Sequence, residues 1–429
     1  MNLLYSNDAR GVHAPSWYAA TAEPQPERPA FDGDVRADVV IVGAGYTGLS
    51  AALRLGQAGV DVRVIEAHRV GWGASGRNGG QLGTGQRVDQ EDIESSLGAE
   101  KAKVLWDLAA QSTALVKDLI HEHGIDCHLR EGIIYAAHRR RYLPHYRDEA
   151  AHMRDHYGFE LEYLDGEAFS ALVGSPAYFG GLVNRTAGHL HPLRYAQGLA
   201  TAAEKAGAVI HEETEATAVT ETGVATAKGT ITADRVILAC NGYLGGLVPE
   251  VAARVMPINN FIIATEPLEE TTAKGLISNG MAVADSKFVI NYFRLSHDNR
   301  LLFGGRESYG YTFPPDIKSF VRKAMVQIYP QMKDARIDYG WGGTLAITMN
   351  RLPYLARVNP RVLNASGYSG HGVAMATFSG RLAADAVLGE EAGFDAMASI
   401  PTLRFPGGAM LRSPLLVLAM LWYTLRDRL

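Results

Sequence analysis

The sequence predicts an α/β protein built on a doubly covered parallel sheet, and three observations carry that expectation. Residues 38–42, 235–239 and 361–365 are short, nearly continuous apolar runs, the pattern of strands buried on both faces. The first runs directly into Gly43-Ala44-Gly45-Tyr46-Thr47-Gly48 and then into good helix formers. Gly is the compositional outlier, 46 of 429 residues against a usual share of roughly 7%, and the glycines fall in clusters.

The length allows about three units of roughly 150 residues, and two interleaved domains fit equally well. Apolar residues make up 47% and charged residues 20%, a balance typical of globular proteins. With 41 Lys+Arg against 46 Asp+Glu the net charge is −5. That argues against a nucleic-acid partner, because phosphate contacts need clustered positive charge. Two cysteines, Cys127 and Cys240, exclude a disulfide scaffold and a Cys-rich zinc module and suit a reducing cytoplasm. No secretory signal is expected, and no apolar stretch reaches the ~18 residues of a spanning helix. The nearest approach, residues 414–425, is flanked by Arg412, Arg426 and Arg428. A docked or subunit-contact helix is expected there, with a peripheral membrane helix as the alternative.

Residues 1–36 are polar and Pro-dotted and read as an arm lying on the body or partly disordered. Strand 38–42, helix 49–58 stopped by Gly59, and strand 60–65 form a βαβ unit. Residues 71–85 (GWGASGRNGGQLGTG) hold seven glycines and read as a polar loop. Helical spacing of Leu97, Val104, Leu108, Leu115 and Leu119 covers residues 91–123. Residues 128–186 mix short strands and helices. Residues 192–206 read as a helix, and 209–210, 216–233 and 235–239 as strands. Strand formers dominate 256–305, with alternation across Phe288-Val289-Ile290-Asn291-Tyr292-Phe293. A last core strand, 361–365, meets Ser366-Gly367-Tyr368-Ser369-Gly370-His371-Gly372, and a small-residue helix follows from 373 to 388.

The G-x-G-x-x-G turn has the context that gives it meaning: strand before, helix after, acid at the end of the next strand. Gly43 lets the chain turn tightly, Gly45 lets backbone approach a pyrophosphate, and Gly48 lets helix and strand pack closely. Tyr46 and Thr47 open a helix whose free N–H groups and positive end suit an anion. Glu66, 23 residues past Gly43, can accept from both hydroxyls of a ribose and would repel a 2′-phosphate. The fingerprint alone leaves NAD and FAD open. A Gly-rich loop in place of further regular βα units suggests backbone running along a long, flat cofactor, which favours FAD. The second Gly cluster opens another helix, whose positive end near Gly372 can stabilise charge on a reduced flavin ring. Neither a G-x-S-x-G elbow nor a P-loop occurs.

GAGYTGLSAAL with Glu66, WGASGRNGG (72–80), VILACNGY (236–243) and ASGYSGHGV (365–373), in this order, resemble the D-amino-acid-oxidase-like family of FAD-dependent amine oxidoreductases. AGHLHPLRY (187–195), NRLPYLAR (350–357) and FPGG…LRDRL are similar to the group within it that oxidises γ-glutamylputrescine. The resemblance implies a discontinuous Rossmann-like FAD-binding domain from residues 37–95, 187–255 and 341–395. It implies an inserted mixed-sheet α+β substrate domain from 96–186 and 256–340, an arm at 1–36 and a tail at 396–429. The chemistry implied is hydride transfer from the carbon beside an amine to flavin N5, imine hydrolysis to aldehyde and ammonia, and reoxidation by O2 to H2O2.

Residue by residue, the resemblance puts Gly43, Gly45 and Gly48 at the pyrophosphate and Glu66, followed by Ala67, at the adenosine ribose. Ser75, Arg77, Asn78, Gly79 and Gly80, with Gly73, Ala74 and Gln81, fall along the flavin and ribityl chain. Val219 falls at the adenine, Gly370, His371, Gly372 and Val373 beside the isoalloxazine, and Gly242 within the cofactor site. Gly343 and Thr344 stand where some relatives carry a flavin-linking Cys, so noncovalent FAD is expected. Lys287 and Arg306 are the candidates for a Lys-like promoter of the O2 reaction.

A neutral amine that loses hydride directly needs no general base, and desolvation favours that neutral form. Tyr292, Phe293 and Trp341 are candidate aromatic walls, Tyr292 and Trp341 forming the expected catalytic set with His371. Taken singly, each aromatic fits plain core better than a pocket wall. His189 and His191 read as sharing one face of a strand. No third ligand is evident, so no metal is expected, and His191 is a candidate pocket residue. Arg351 is a candidate for a substrate carboxylate, with an ordinary salt bridge as the alternative. The expected partners are a small-molecule amine and O2. The competing readings are a membrane-associated FAD dehydrogenase passing electrons to quinone, a NAD-dependent dehydrogenase, and a flavoprotein that only binds.

Overall fold

The computed structural model describes residues 2–308 and 310–407, and the apolar segment expected at 414–425 lies outside them. Two sheets organise the chain. In the first, five parallel strands run in the order Val362–Ser366, Gly229–Leu238, Val35–Val42, Val62–Ile65 and Val209–His211, with Tyr354–Asn359 antiparallel at one edge. The central register pairs Val40 with Val236 and Ile41 with Ile237. A hairpin, Ala216–Val219 and Gly223–Thr226, extends from the strand Gly229–Leu238. The helices Tyr46–Gln57, Pro192–Lys205 and Gly372–Val387 contribute to one core cluster with Ile41 and Val64 of the sheet. A Cβ on Gly380 would stand 2.1 Å from the carbonyl oxygen of Thr47, so only glycine allows the first and last of these helices to pack so closely.

The second sheet is mixed. Its path runs Ile337–Ile347, Met256–Thr265, Leu301–Ser308, Tyr292–Leu295, Ala282–Asp285, Arg130–Ala136, Gly180–His189 and Gln81–Leu82. Only the pair Ala282–Asp285 and Arg130–Ala136 is parallel. Side chains alternate between its faces with the period of a strand. Phe261, Phe293, Ile134 and Val183 pack into a core with helix Ile317–Ile328, whereas their neighbours Asn260, Tyr292, Tyr135 and Leu182 line a cavity. The protein is therefore a mixed α/β molecule with one parallel and one mixed sheet.

Two stretches differ from the sequence expectation. The helical pattern over 91–123 is two helices, Gln90–Leu97 and Ala99–Glu122, interrupted at Gly98 with φ +85°. The alternating run 288–293 is mostly loop, and strand begins only at Tyr292. Asp285 is the cause. Its carboxylate accepts from the amides of Lys287 (3.2 Å) and Asn291 (2.9 Å) and from the Asn291 side chain (2.7 Å), which closes residues 285–291 into a pinned loop.

The arm is docked. Asp8 pairs with Arg77 at 2.7 Å, Tyr5 donates to Glu215 at 2.6 Å, and Asn7 bonds the backbone of residues 311 and 313. His68 holds it on two sides: Nδ1 accepts from the amide of Gly11 (3.0 Å) and Nε2 donates to the Leu4 carbonyl (2.8 Å).

Candidate active site

A cavity of about 1560 Å³ runs from the G-x-G-x-x-G turn to the inner face of the mixed sheet. This exceeds the roughly 300–1,000 Å³ of ordinary ligand pockets. At one end, Gly43 turns the chain with φ +109°, and a Cβ there would meet the Ala239 carbonyl oxygen at 2.8 Å. A Cβ on Gly48 would stand 1.9 Å from the Gly43 oxygen. Gly48 thus acts in helix–strand packing and is absent from the cavity wall. Gly45, Tyr46 and Thr47 line the cavity. The Ser75 hydroxyl accepts from the Tyr46 amide at 3.0 Å, and Thr47 meets the Tyr368 hydroxyl at 2.7 Å.

Glu66 lies beside this turn. Its two oxygens accept from the amides of Ala44 (2.9 Å) and His68 (3.0 Å), and burial pushes its carboxyl up to about 7. Ala67, Val219 and the arm residues Asn2 and Leu4 share this end.

The loop after Glu66 carries the cavity onward through Gly73, Ala74, Ser75, Arg77, Asn78, Gly79 and Gln81. Asn78 ties the loop together, donating to the carbonyls of Ala74 and Ser75 (both 3.0 Å) and accepting from the Gly80 amide (2.7 Å). Gln81, on the end strand of the mixed sheet, donates across that sheet to the Val283 carbonyl. Gly80, with φ +76°, faces away from the cavity, where a Cβ would meet the Leu190 oxygen at 2.1 Å. Gly242 likewise packs on Leu345. Tyr292 lies across Gly79, where a Cβ would come within 2.5 Å of its ring, and donates to Asn260 at 2.5 Å.

At the far end, Gly370, His371, Gly372 and Val373 bring the start of helix Gly372–Val387 to the cavity. Burial, and secondarily Arg87, lowers His371 to about 4, so its imidazole is neutral. Its Nε2 is buried with no hydrogen-bond partner among the described residues. The ring is tight against Gly83, and the Tyr135 hydroxyl borders the same point.

Three expected pocket residues lie elsewhere. Phe293, 1% exposed, takes the opposite face of its strand from Tyr292 and stacks on Phe303. Trp341, also 1% exposed, packs against Tyr18 and donates to the Arg77 carbonyl at 3.0 Å. His191 sits two residues past the strand, at the N-cap of helix Pro192–Lys205. Its Nδ1 accepts from the Arg194 amide and its Nε2 meets Thr21. His189 turns instead to the Gly280 carbonyl. Arg351 does line the cavity, its guanidinium 4.3 Å over the Phe288 ring. Lys287 lines it too, whereas Arg306 packs over Phe320.

Sequence reasoning missed Tyr135, Asn184, Tyr146 and Glu149, which all face the cavity. A signal existed on helix Leu143–Tyr157. Tyr146, Glu149 and Met153 recur at helical spacing, a buried-face pattern with an acid set inside it.

The sequence profile described as DAO, FAD dependent oxidoreductase, matches residues 38–386. The chain belongs to this family of FAD-dependent oxidoreductases. It is 43% identical to a probable oxidoreductase, OrdL, of Rhizobium meliloti over 96% of this chain and 97% of that one. It is 39% identical to a γ-glutamylputrescine oxidoreductase of Escherichia coli over 97% and 99%. Among solved structures it is similar to glycine oxidase from Geobacillus kaustophilus, with TM-score 0.70 and 25% identity over 83% of this chain and 96% of that one. The cofactor is FAD, and the cavity fits it. Gly43 and Gly45 line it at the turn without side chains, the Glu66 acid lies beside them, and a buried imidazole nitrogen without a hydrogen-bond partner among the described residues belongs to His371 in its wall.

Proposed function

We propose that this FAD-dependent oxidoreductase oxidises the C–N bond of an alkylamine, with γ-glutamylputrescine or a related N-substituted amine as substrate. One observation carries the reading: the cavity joins the dinucleotide cradle to a desolvated pocket of tyrosines around a neutral histidine. The full-length similarity to a γ-glutamylputrescine oxidoreductase supports the substrate class. The overall reaction is amine, O2 and water giving aldehyde, ammonia and H2O2.

FAD, when bound, supplies the hydride acceptor. Gly43, Gly45 and the opening of helix Tyr46–Gln57 hold its pyrophosphate, and Glu66 its ribose. Loop residues 73–81 support the ribityl side, and the start of helix Gly372–Val387 lends positive potential to the ring. Tyr292, Tyr135 and the apolar lining exclude water, which favours the neutral amine. Neutral His371 neither competes for the substrate's lone pair nor adds a positive charge. Arg351 takes a substrate carboxylate through its fork. Attachment is noncovalent, so acid precipitation releases the yellow colour into the supernatant. Two free cysteines fit a reducing cytoplasm.

The test is an anaerobic screen of primary, secondary and γ-glutamylated amines against the FAD-loaded protein. Bleaching near 450 nm by γ-glutamylputrescine, followed by H2O2 release on admitting air, is the expected result. Bleaching only by a simple amino acid would overturn the substrate class, and no bleaching by any amine would overturn the reaction.

A further inference from the structure

The mixed sheet and helix Leu143–Tyr157 enclose an acid that nothing above uses. Glu149 lines the cavity on the same helix face as Tyr146. No hydrogen bond or ion pair from the described residues satisfies its carboxylate. Desolvation pushes the group up to about 8, and Asp89 and Glu91, both of its own sign, add to that effect. Arg87 acts on Tyr135 and on His371.

Glu149 is half-buried while the cavity is open, and a carboxylate that loses its water there on ligand binding without gaining a counter-ion is costly. Structural acids in such places acquire an arginine, a lysine or amide donors. This one has acidic neighbours and tyrosine rings instead, the surroundings that suit a cation, because ring faces carry negative potential. Its position agrees. Glu149 acts electrostatically on Tyr135, whose hydroxyl shares the space beside Gly83 with the His371 ring, and the His371 Nε2 there also lacks a partner. Glu149 and His371 therefore line the same cavity, with Tyr135 between them in effect.

We propose that Glu149 is a specificity-determining residue that receives a positively charged amino group of the substrate other than the amine that reacts, with Tyr146 and Tyr135 as aromatic walls. The proposal rests on the amine-oxidation reading and adds what selects the substrate. It explains how a pocket that excludes water still attracts a cation: the carboxylate supplies the missing counter-charge, and each neutralises the other on binding.

The test uses FAD-loaded protein and butyltrimethylammonium, a cation of fixed charge, with 1-pentanol as the neutral control. Calorimetric titration should show the cation binding to the wild type and its affinity falling about tenfold or more in E149Q, as for loss of a charge-assisted contact. Pentanol binding and the flavin spectrum should stay unchanged, and the thermal midpoint should hold or rise, because the unpaired carboxyl is costly to the free fold. The KM for γ-glutamylputrescine should rise more than kcat falls. E149M asks the same question with an apolar side chain of similar length, so one folded variant suffices. Unchanged cation affinity in a folded variant, or no cation binding by the wild type, overturns the proposal. If the cation binds through Glu149 but no amine bleaches the flavin, the reaction assignment falls and the recognition site stands.

Discussion

Glu66 shows how far one side chain can set the properties of the cofactor site. Burial raises its carboxyl from the ordinary 4.5 to about 7 while two backbone amides pull the other way. In that interval the folded chain keeps a proton that the unfolded chain has released, so stability falls as pH rises from about 4.5 to about 7. The melting temperature of FAD-free protein should drop across this range relative to E66Q, and superimposable curves would contradict it. E66Q should also weaken FAD binding by about 1.5–3 kcal/mol, roughly 10- to 100-fold, in a fluorescence titration of the FAD-free protein. The turn glycines divide by what they touch. G48A drives a methyl into backbone at 1.9 Å, so it should cost about 1–3 kcal/mol or more of stability, read by denaturant melts. G45A meets only the Ser75 hydroxyl at 2.8 Å. It should spare the fold and lower FAD retention after gel filtration.

Elements carry the cases where local pattern and structure part. The apolar strands and the strand–turn–helix unit were readable because hydrophobic periodicity and glycine placement there agree with the tertiary outcome. The run 288–293 was misread because alternation says nothing of a carboxylate upstream that collects three donors from the loop and a fourth from Tyr178. D285A should release this loop and with it Phe288, on which Arg351 rests. The expected result is a several-fold rise in KM with FAD content unchanged, and unchanged KM would mean the loop is held otherwise. His191 was misjudged for a similar reason. A residue just before Pro192 is pre-set to cap a helix, and its ring is spent on the Arg194 amide and Thr21. Trp341 and Phe293 are large aromatics in strands, and sequence alone does not tell which face of a sheet each will take. Glu149 was legible only as a break in an apolar helix face, since its neighbours Asp89 and Glu91 come from a different element.

At the scale of the molecule, the cavity exists because the C-terminal ends of a parallel sheet meet one face of a mixed sheet. The chain passes between the two sheets several times to make that junction, which is why no single stretch of sequence revealed the substrate end. The arm is a long-range device of the same kind. Residues 2–8 contact partners near 213–215 and 311–313, and Asn2 and Leu4 wall the cavity. Those partners exist only after both sheets are assembled, so the arm must dock last. A dinucleotide entering the finished, closed protein would have to wait for that strap to peel away. Assembly thus has a preferred sequence of events: body first, coenzyme second, strap third. Trypsin should cut after Arg10 rapidly in FAD-free protein and slowly once FAD is loaded, and removing residues 2–12 should speed coenzyme escape on dilution. The arm is then less a tail than a latch, and how long the protein keeps its coenzyme becomes a matter of how often that latch opens.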